Sequence, residues 1–265
     1  MPNIRHILSL SGGKDSTALA IYMRDKISDM EYVFCDTDKE LAETYEYLGR
    51  LEAFLGKKIV RLRDDRGFDH WLKVYGGYLP SSRMRWCTKV LKIKPFEKFV
   101  GTDEVMMYVG IRADEDRGGY ITSKPNIHPV YPFRDDGMTL QDVHRILDES
   151  GIGFPTYYDW RTRSGCFFCF YQRKNEWVGL LERHPDLYEK AKQYEKTNPV
   201  NGERYTWTER ESLEELARPE RVAEIKAKQQ DALLAAKKDK PNRPLLEILG
   251  QDEDDDNLPC SFCHT

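Results

Sequence analysis

Residues 8–22 read Leu-Ser-Leu-Ser-Gly-Gly-Lys-Asp-Ser-Thr-Ala-Leu-Ala-Ile-Tyr. The apolar stretch over 4–10 reads as a buried strand. It runs into two adjacent glycines, Gly12 and Gly13, and then into Lys14, Asp15 and Ser16. From residue 15 to about 27 the spacing of Ala18, Leu19, Tyr22 and Met23 is helical. Glycines let a backbone turn sharply and approach a guest closely. The start of a helix offers unpaired N–H groups and the positive end of its dipole. With the charge of Lys14 beside it, such a turn suits an anion, above all a phosphate.

Outward from this turn the pattern repeats. Residues 31–35 form a second short strand, followed by Asp36-Thr37-Asp38. A helix over 40–55 ends at Gly56. Strands are expected at 58–62 and 105–111. Strands alternating with helices predict a mostly parallel α/β sheet with helices on both faces, and ligands at the carboxyl ends of its strands. The Gly12 turn and the Asp36 turn both fall at such ends. From about Phe68 the pattern loosens into loops rich in Arg, Trp and Tyr. Helices return at 140–150 and 176–195, where Pro185 either breaks the helix or starts its second half. A charged helical stretch over 209–238 is interrupted near Pro219. The domain reading is a nucleotide-binding unit over 1–175 and a mostly helical extension over 176–265. That extension ends in an acidic run, 251–257, and a cysteine-containing tail expected to pack back on the core.

The chain has 265 residues, 40% of them hydrophobic, and a net charge of −4. No apolar run reaches membrane-spanning length, and no signal peptide is read at the N-terminus, so a cytoplasmic protein is expected. An acidic chain is a poor freestanding nucleic-acid binder. Local basic stretches exist nonetheless, at 61–66, 83–98 and 226–243. Six cysteines are present. In a reducing compartment they stay reduced, and the two C-x-x-C spacings, Cys166/Cys169 and Cys260/Cys263, favour metal or redox chemistry.

Ser11-Gly-Gly-Lys-Asp-Ser16 lacks the GxxxxGK[ST] pattern of the common P-loop. It resembles the SGGxDS loop of the PP-loop ATP pyrophosphatases. Cys35-Asp-Thr-Asp38 with Glu43-Thr44-Tyr45, Gly110-Ile-Arg-Ala-Asp-Glu-Asp-Arg117, Pro129-Val-Tyr-Pro132 with Asp142-Val143, and Tyr157-Tyr-Asp159 with Gly165-Cys-Phe-Phe-Cys169 resemble, in order, motifs of the PAPS reductase-like branch. The resemblance covers about residues 4–175. It implies an adenine nucleotide alpha hydrolase-like, Rossmann-like fold. It implies that Ser11, Gly12, Gly13, Lys14, Asp15 and Ser16 hold the β,γ-phosphates of ATP, with Asp15 and Ser16 orienting Mg2+ or capping the helix. Asp36 and Thr37 would approach the adenosine part. Gly110 and Arg112 would complete the site, and Arg112 and Arg117 would clamp phosphate charge. Arg117 has an alternative role as a surface partner of Asp114 or Asp116. Lys14, Asp15, Arg112 and Arg117 are the expected catalytic residues. Such enzymes cleave ATP to AMP and pyrophosphate.

In iron–sulfur members of this branch a cysteine placed like Cys87 helps bind a [4Fe-4S] cluster, with two more from the C-x-x-C of Cys166 and Cys169. Cys263, or alternatively Cys260, would be the fourth ligand. An all-thiolate zinc site is the rival. Three activities follow from the resemblance. The first is activation of a nucleic-acid phosphate for sulfur insertion, as in DNA phosphorothioation systems of the Dnd/Ssp type. DNA is favoured over tRNA as acceptor, a cysteine desulfurase is the sulfur donor, and further modification-complex proteins are partners. The segment 82–92 and Arg161-Thr-Arg163 would suit such a polyanion. The second is PAPS or APS reduction, with thioredoxin or glutathione as reductant and Cys263 as nucleophile. Against it, the tail lacks the Glu and Gly of the reductase motif, and Cys87 stands alone where those enzymes carry two cysteines. The third is tRNA thiolation, for which no appended RNA-binding domain is seen. A non-catalytic nucleotide sensor is the reading from another class.

Overall fold

The computed structural model describes residues 4–116, 118–119, 124–197 and 202–239. Its centre is a five-stranded parallel sheet of β1 (Arg5–Leu10), β2 (Glu31–Cys35), β3 (Ile59–Leu62), β4 (Val105–Tyr108) and β5 (Ile127–Val130), in the order β3-β2-β1-β4-β5. The chain winds outward from β1 in one direction to β3 and then returns to β4 on the other side. The strand order therefore reverses between β1 and β4, where an open α/β sheet forms its ligand crevice.

Period-two alternation sorts the strand side chains onto two faces. Leu8, Leu10, Tyr32 and Phe34 pack under α1 (Lys14–Met23), α2 (Ala42–Leu55) and α7 (Leu140–Glu149). Ile7, Val33, Cys35, Val105 and Met107 pack on the other face with Phe96 and Val100 of α5 (Lys94–Val100). Both faces are thus covered, as a parallel sheet requires. Helix α2 stops where expected, with Gly56 in the left-handed conformation at φ 64°. Asp142 and Thr139 close a capping box at the start of α7, and Val143 is fully buried beside it. One resemblance motif is thereby explained by local helix chemistry.

Three expectations are corrected. Residues beyond Phe68 are not mainly loop. Helix α3 (Gly67–Val74) buries Phe68 and Leu72, and a run of α4 (Trp86–Thr88), a π-turn (Lys89–Ile93) and α5 buries Trp86, Val90, Leu91 and Phe96. The apolar spacing is helical there, but cations and Pro95 mask it. Strand β5 was not anticipated because Pro129 lies within it, and an edge strand tolerates that missing donor. The strand expected over 105–111 ends at Tyr108, which frees Gly110 and Arg112 to line the crevice.

The 176–195 segment divides into α8 (Lys174–Arg183) and α9 (Pro185–Lys192), with Pro185 starting the second helix. The later charged stretch divides into α10 (Leu213–Leu216) and α11 (Pro219–Asp239), again with the proline first. These helices share a core with earlier segments: Trp177, Trp207 and Leu213 pack with Leu41, Phe68, Trp86, Phe167 and Phe168. Phe168 stacks on Trp207, with ring centroids 4.9 Å apart. No helix among the described residues is long and apolar enough to cross a membrane.

Candidate active site

The turn after β1 is held from within. Gly12 adopts φ 77°, and a Cβ there would lie 2.6 Å from Cγ2 of Thr44. A Cβ on Gly13 would lie 2.8 Å from Oγ of Ser164. The Ser11 N–H donates to Oγ of Ser16 at 3.2 Å, and the Gly13 N–H donates to Oγ of Ser11 at 3.3 Å. The Lys14 N–H donates to the Tyr158 hydroxyl at 3.2 Å. The loop amides expected to meet phosphate directly are thus bracketed by hydroxyls, which can themselves donate to an anion.

Lys14, Asp15 and Arg112 form one buried ionic group. The Lys14 Nζ lies 3.1 Å from Oδ2 of Asp15, and the Arg112 Nη1 lies 2.6 Å from Oδ1. Burial opposes the charge on all three. For Lys14 the Asp15 carboxylate outweighs it and raises the pKa; for Asp15 the two cations outweigh it and hold the carboxyl well below its usual range. Arg112 is raised, Asp15 and Glu115 overcoming its burial. Both Asp15 oxygens are therefore taken by cations, so as placed Asp15 orients Lys14 and Arg112 rather than reaching toward Mg2+. Arg112 also meets Asp114 at 2.9 Å and Glu115 at 2.6 Å. Among the described residues, two cations here face three carboxylates. Gly110 permits the assembly: a Cβ there would lie 3.1 Å from the Asp15 carbonyl oxygen.

At the end of β2, Asp36 accepts from the Tyr45 hydroxyl at 2.7 Å and from the Asp38 N–H at 2.8 Å, and lies 3.4 Å from Arg63. The Asp38 bond holds that residue at φ 62°. The Thr37 hydroxyl donates to Oε1 of Glu40 at 2.8 Å and lies 3.0 Å from Sγ of Cys166. Burial, reinforced by the Glu40 charge, pushes the Cys166 thiol well above the ordinary thiol value.

The segment carrying Cys166 is stapled to the phosphate loop. The Tyr157 hydroxyl donates to the Gly12 carbonyl at 2.7 Å, the Ser164 hydroxyl to Oγ of Ser11 at 3.1 Å, and the Phe167 N–H to the Lys39 carbonyl at 2.8 Å. Arg161, almost fully buried, donates to the carbonyls of Gly165 and Cys166. The loop after β1, the turn after β2 and the C-x-x-C segment therefore share one edge of the sheet.

Two contributors, Ser164 and His144, carried no readable sequence signal, whereas Tyr158 stood in the Tyr157-Tyr-Asp159 motif without its contact to Lys14 being legible. Tyr158 and Ser164 lie far along the chain from the loop they brace. His144, on α7, is lowered by burial and then by the Lys14 charge, and its buried Nε2 has no hydrogen-bond partner. Glu40 could have been suspected from its place one turn after Thr37.

The thiol set expected to hold a metal is only partly described. Arg117, Cys260 and Cys263 lie outside the described residues, as does the acidic run. Among the described residues no group of three or more His, Cys, Asp or Glu side chains is placed to hold a metal ion. The Cys166 Sγ lies 3.0 Å from the Thr37 hydroxyl and 3.7 Å from Oε1 of Glu40. Cys35, pushed up to about 12 by burial, is an inert core thiol.

Asp15 and the fully buried Glu176 both have carboxyls held below their ordinary values of 3.8 and 4.5, despite burial, by neighbouring cations and, for Glu176, by hydrogen bonds from Thr162 and the Arg173 N–H. Between the folded and ordinary values the unfolded chain binds more protons, so acid favours unfolding. Stability is expected to hold above the ordinary carboxylate values and to fall as pH drops below them. Urea midpoints measured from about pH 6 down to about pH 3 check this, and a flat profile would refute it.

Residues 5–127 match the phosphoadenosine phosphosulfate reductase domain. Among characterised folds, a phosphoadenylyl-sulfate (PAPS) reductase from Candida auris, solved as a phosphate complex, superposes with a TM-score of 0.50 at 15% identity, covering 63% of this chain and 82% of that one. A U34-tRNA thiolase from Methanococcus maripaludis with its [4Fe-4S] cluster reaches a TM-score of 0.37 at 13% identity, covering 73% of this chain and 71% of that one. An uncharacterized protein of Methanocaldococcus jannaschii is 30% identical over 198 residues, which are 69% of this chain and 40% of that protein. A second from the same organism is 25% identical over 194 residues, 69% of this chain and 45% of that protein. The chain thus spans less than half the length of these two relatives. An uncharacterized 37.8 kDa protein of Escherichia phage 186 is 26% identical over 253 residues, covering 72% of this chain and 74% of that protein.

Proposed function

We propose that this chain, which carries a PAPS reductase-like domain, is an ATP pyrophosphatase that activates a nucleic-acid phosphate for replacement of an oxygen by sulfur, with DNA as the favoured acceptor. One observation carries the reading. The C-x-x-C segment is stapled onto the phosphate loop, and Cys166 lies within hydrogen-bond distance of Thr37 on the adjoining turn. A nucleotide site and a thiol thereby share one crevice.

The chemistry follows from the residues. Lys14 sits at the N-terminus of α1, where charge on a departing pyrophosphate is stabilised. The carboxylates of Asp15, Asp114 and Glu115 beside Arg112 favour a nucleotide that arrives with Mg2+ over a bare triphosphate. An acceptor phosphate oxygen attacks the α-phosphorus and pyrophosphate leaves, giving an adenylated acceptor. A persulfide, supplied by a cysteine desulfurase, then attacks the activated phosphorus and displaces AMP. A further thiolate breaks the remaining S–S bond, leaving sulfur on phosphorus and a disulfide for a dithiol reductant to reopen. Cys166 and Cys169 have the spacing for that exchange, which requires that the burial and the Glu40 charge now holding Cys166 protonated be relieved.

Sulfonucleotide reduction is the second reading, supported by the match over residues 5–127. Pyrophosphate release from ATP by anaerobically purified protein separates the two, measured with DNA, tRNA or buffer alone and beside an assay of PAPS turnover. Release stimulated by DNA without PAPS turnover is expected. PAPS turnover without ATP cleavage would overturn the proposal.

A further inference from the structure

From Gly12 to Thr17 every residue of the turn after β1 is buried. A triphosphate held by that turn must reach the N–H groups at the start of α1. One of them is already engaged, because the Lys14 N–H donates to the Tyr158 hydroxyl at 3.2 Å. The Tyr158 ring lies beside the Lys14 ammonium, with its centroid 5.4 Å from Nζ. Tyr157 stacks on that ring at 5.0 Å between centroids, and Phe154 meets it edge-on at 6.2 Å. Oγ of Ser164 and the Tyr158 hydroxyl are the atoms a Cβ on Gly13 would meet first, at 2.8 and 3.2 Å. Tyr158 and Ser164 therefore roof the start of α1.

The same segment buries the thiol. Arg161, itself buried, donates to the Gly165 carbonyl at 3.0 Å and to the Cys166 carbonyl at 2.9 Å. Those two bonds lock residues 161–166 into one unit, and Cys166 stands two positions beyond Ser164. Its Sγ rests 3.0 Å from the Thr37 hydroxyl and 3.7 Å from Oε1 of Glu40. Whatever lifts Tyr158 and Ser164 off the phosphate turn therefore draws Cys166 off Thr37 and Glu40.

The two sides of the segment are held unequally. Toward the phosphate turn its hydrogen bonds join neutral groups: Tyr158 with the Lys14 N–H, Ser164 with the Ser11 hydroxyl, and Tyr157 with the Gly12 carbonyl. Toward α8 the Thr162 N–H and hydroxyl donate to Glu176 at 2.7 and 2.6 Å, and Arg163 and Arg161 keep that carboxylate ionised despite its burial. Trp160 also packs on Gly179 of α8, where a Cβ would stand 2.6 Å from its ring. A phosphate oxygen is a charged acceptor, and such bonds are about twice as strong as neutral ones. It outcompetes a phenol hydroxyl for the Lys14 N–H, while the attachment to α8 stays in place as a hinge.

We propose that residues 158–166 form a nucleotide-gated cover: ATP takes the Lys14 amide from Tyr158, the segment lifts on its α8 attachment, and the Cys166 thiol is released into the crevice. The inference rests on the ATP reading above and adds its regulation. The thiol becomes available only after nucleotide has bound, so sulfur chemistry cannot run ahead of acceptor activation.

The test is alkylation of the full chain by N-ethylmaleimide with peptide mapping, with and without Mg2+ and α,β-methylene-ATP, which cannot be cut between its α- and β-phosphates. Saturating analogue is expected to speed labelling of Cys166 by about tenfold, a usual size for coupling between two sites. Cys35, buried in the sheet, should stay unlabelled. Tyr158→Phe removes the acceptor from the Lys14 N–H. It is expected to speed labelling without nucleotide and, by reciprocity, to tighten analogue binding by the same factor. Hydrogen exchange of peptides spanning 158–169 should quicken with the analogue, and it serves if a bound metal shields the thiol. Labelling and exchange that stay unchanged or slow with the analogue bound would overturn the cover, as would a chain that does not bind the analogue. Pyrophosphate release by a chain whose Cys166 ignores the analogue would overturn the cover and leave the ATP chemistry standing. Exposure of Cys166 by the analogue in a chain that never releases pyrophosphate would do the reverse.

Discussion

Lys14→Ala is expected to reduce pyrophosphate release from ATP by about 10²–10³-fold, the usual cost of one preorganised donor to a charge that develops in the transition state. Lys14 is buried, with one hydrogen committed to Asp15 and two more available to a phosphate. Its ammonium also lies 5.4 Å from the ring centroid of Tyr158, which limits its rotamers. The fold should survive, because Asp15 keeps Arg112 as its partner. Quench-flow measurement of pyrophosphate under saturating ATP checks the effect. Lys14→Arg should recover part of the rate by restoring charge without the compact geometry of an ammonium. Release within threefold of wild type in Lys14→Ala would sink the assignment of this loop to ATP cleavage.

Asp15→Asn is expected to act first on stability. It leaves Lys14 buried without a carboxylate, whereas Arg112 retains Asp114 and Glu115. Breaking one side of a buried ion pair costs about 3–5 kcal/mol, because the stranded charge has been taken out of water without compensation. The urea midpoint should fall accordingly. Lys14→Met combined with Asp15→Asn should regain much of that loss, since both charges leave together. Pyrophosphate release should remain absent in the double variant. If Asp15→Asn is as stable as wild type, the ionic group is solvated and its proposed role in orienting Lys14 fails. The recovery test separates a stranded charge from a generally damaged loop.

The parallel sheet was legible in the alternation of short apolar runs and helices, and so was the place of the glycine turn at the end of a strand, whereas the strand order β3-β2-β1-β4-β5 was not. Each depends on local chemistry: alternation, glycine, a helix start. The same locality explains the misses. Helices over 67–100 were hidden because cations and Pro95 interrupt their apolar spacing, and β5 was hidden because it contains Pro129. Asp36, Thr37 and Gly110 were found through resemblance, but their work was not. Gly110 is a matter of how near one backbone passes to another, and Thr37 matters because a thiol from residue 166 lands on it.

By itself the sequence determined a parallel α/β sheet, a glycine turn that favours an anion, and a C-x-x-C pair in an acidic chain. Those features arise between neighbours in the chain, where spacing and residue type are sufficient. Tertiary structure alone decided that Asp15 spends both oxygens on cations, that Tyr157 and Ser164 bind the thiol segment to the phosphate loop, and that Arg85 and Arg163 meet on Tyr171. Apart from Lys14 with its neighbour Asp15 and Arg163 with Tyr171, these pairings join residues separated by tens to more than a hundred positions. They exist only once burial has removed water as the competing partner.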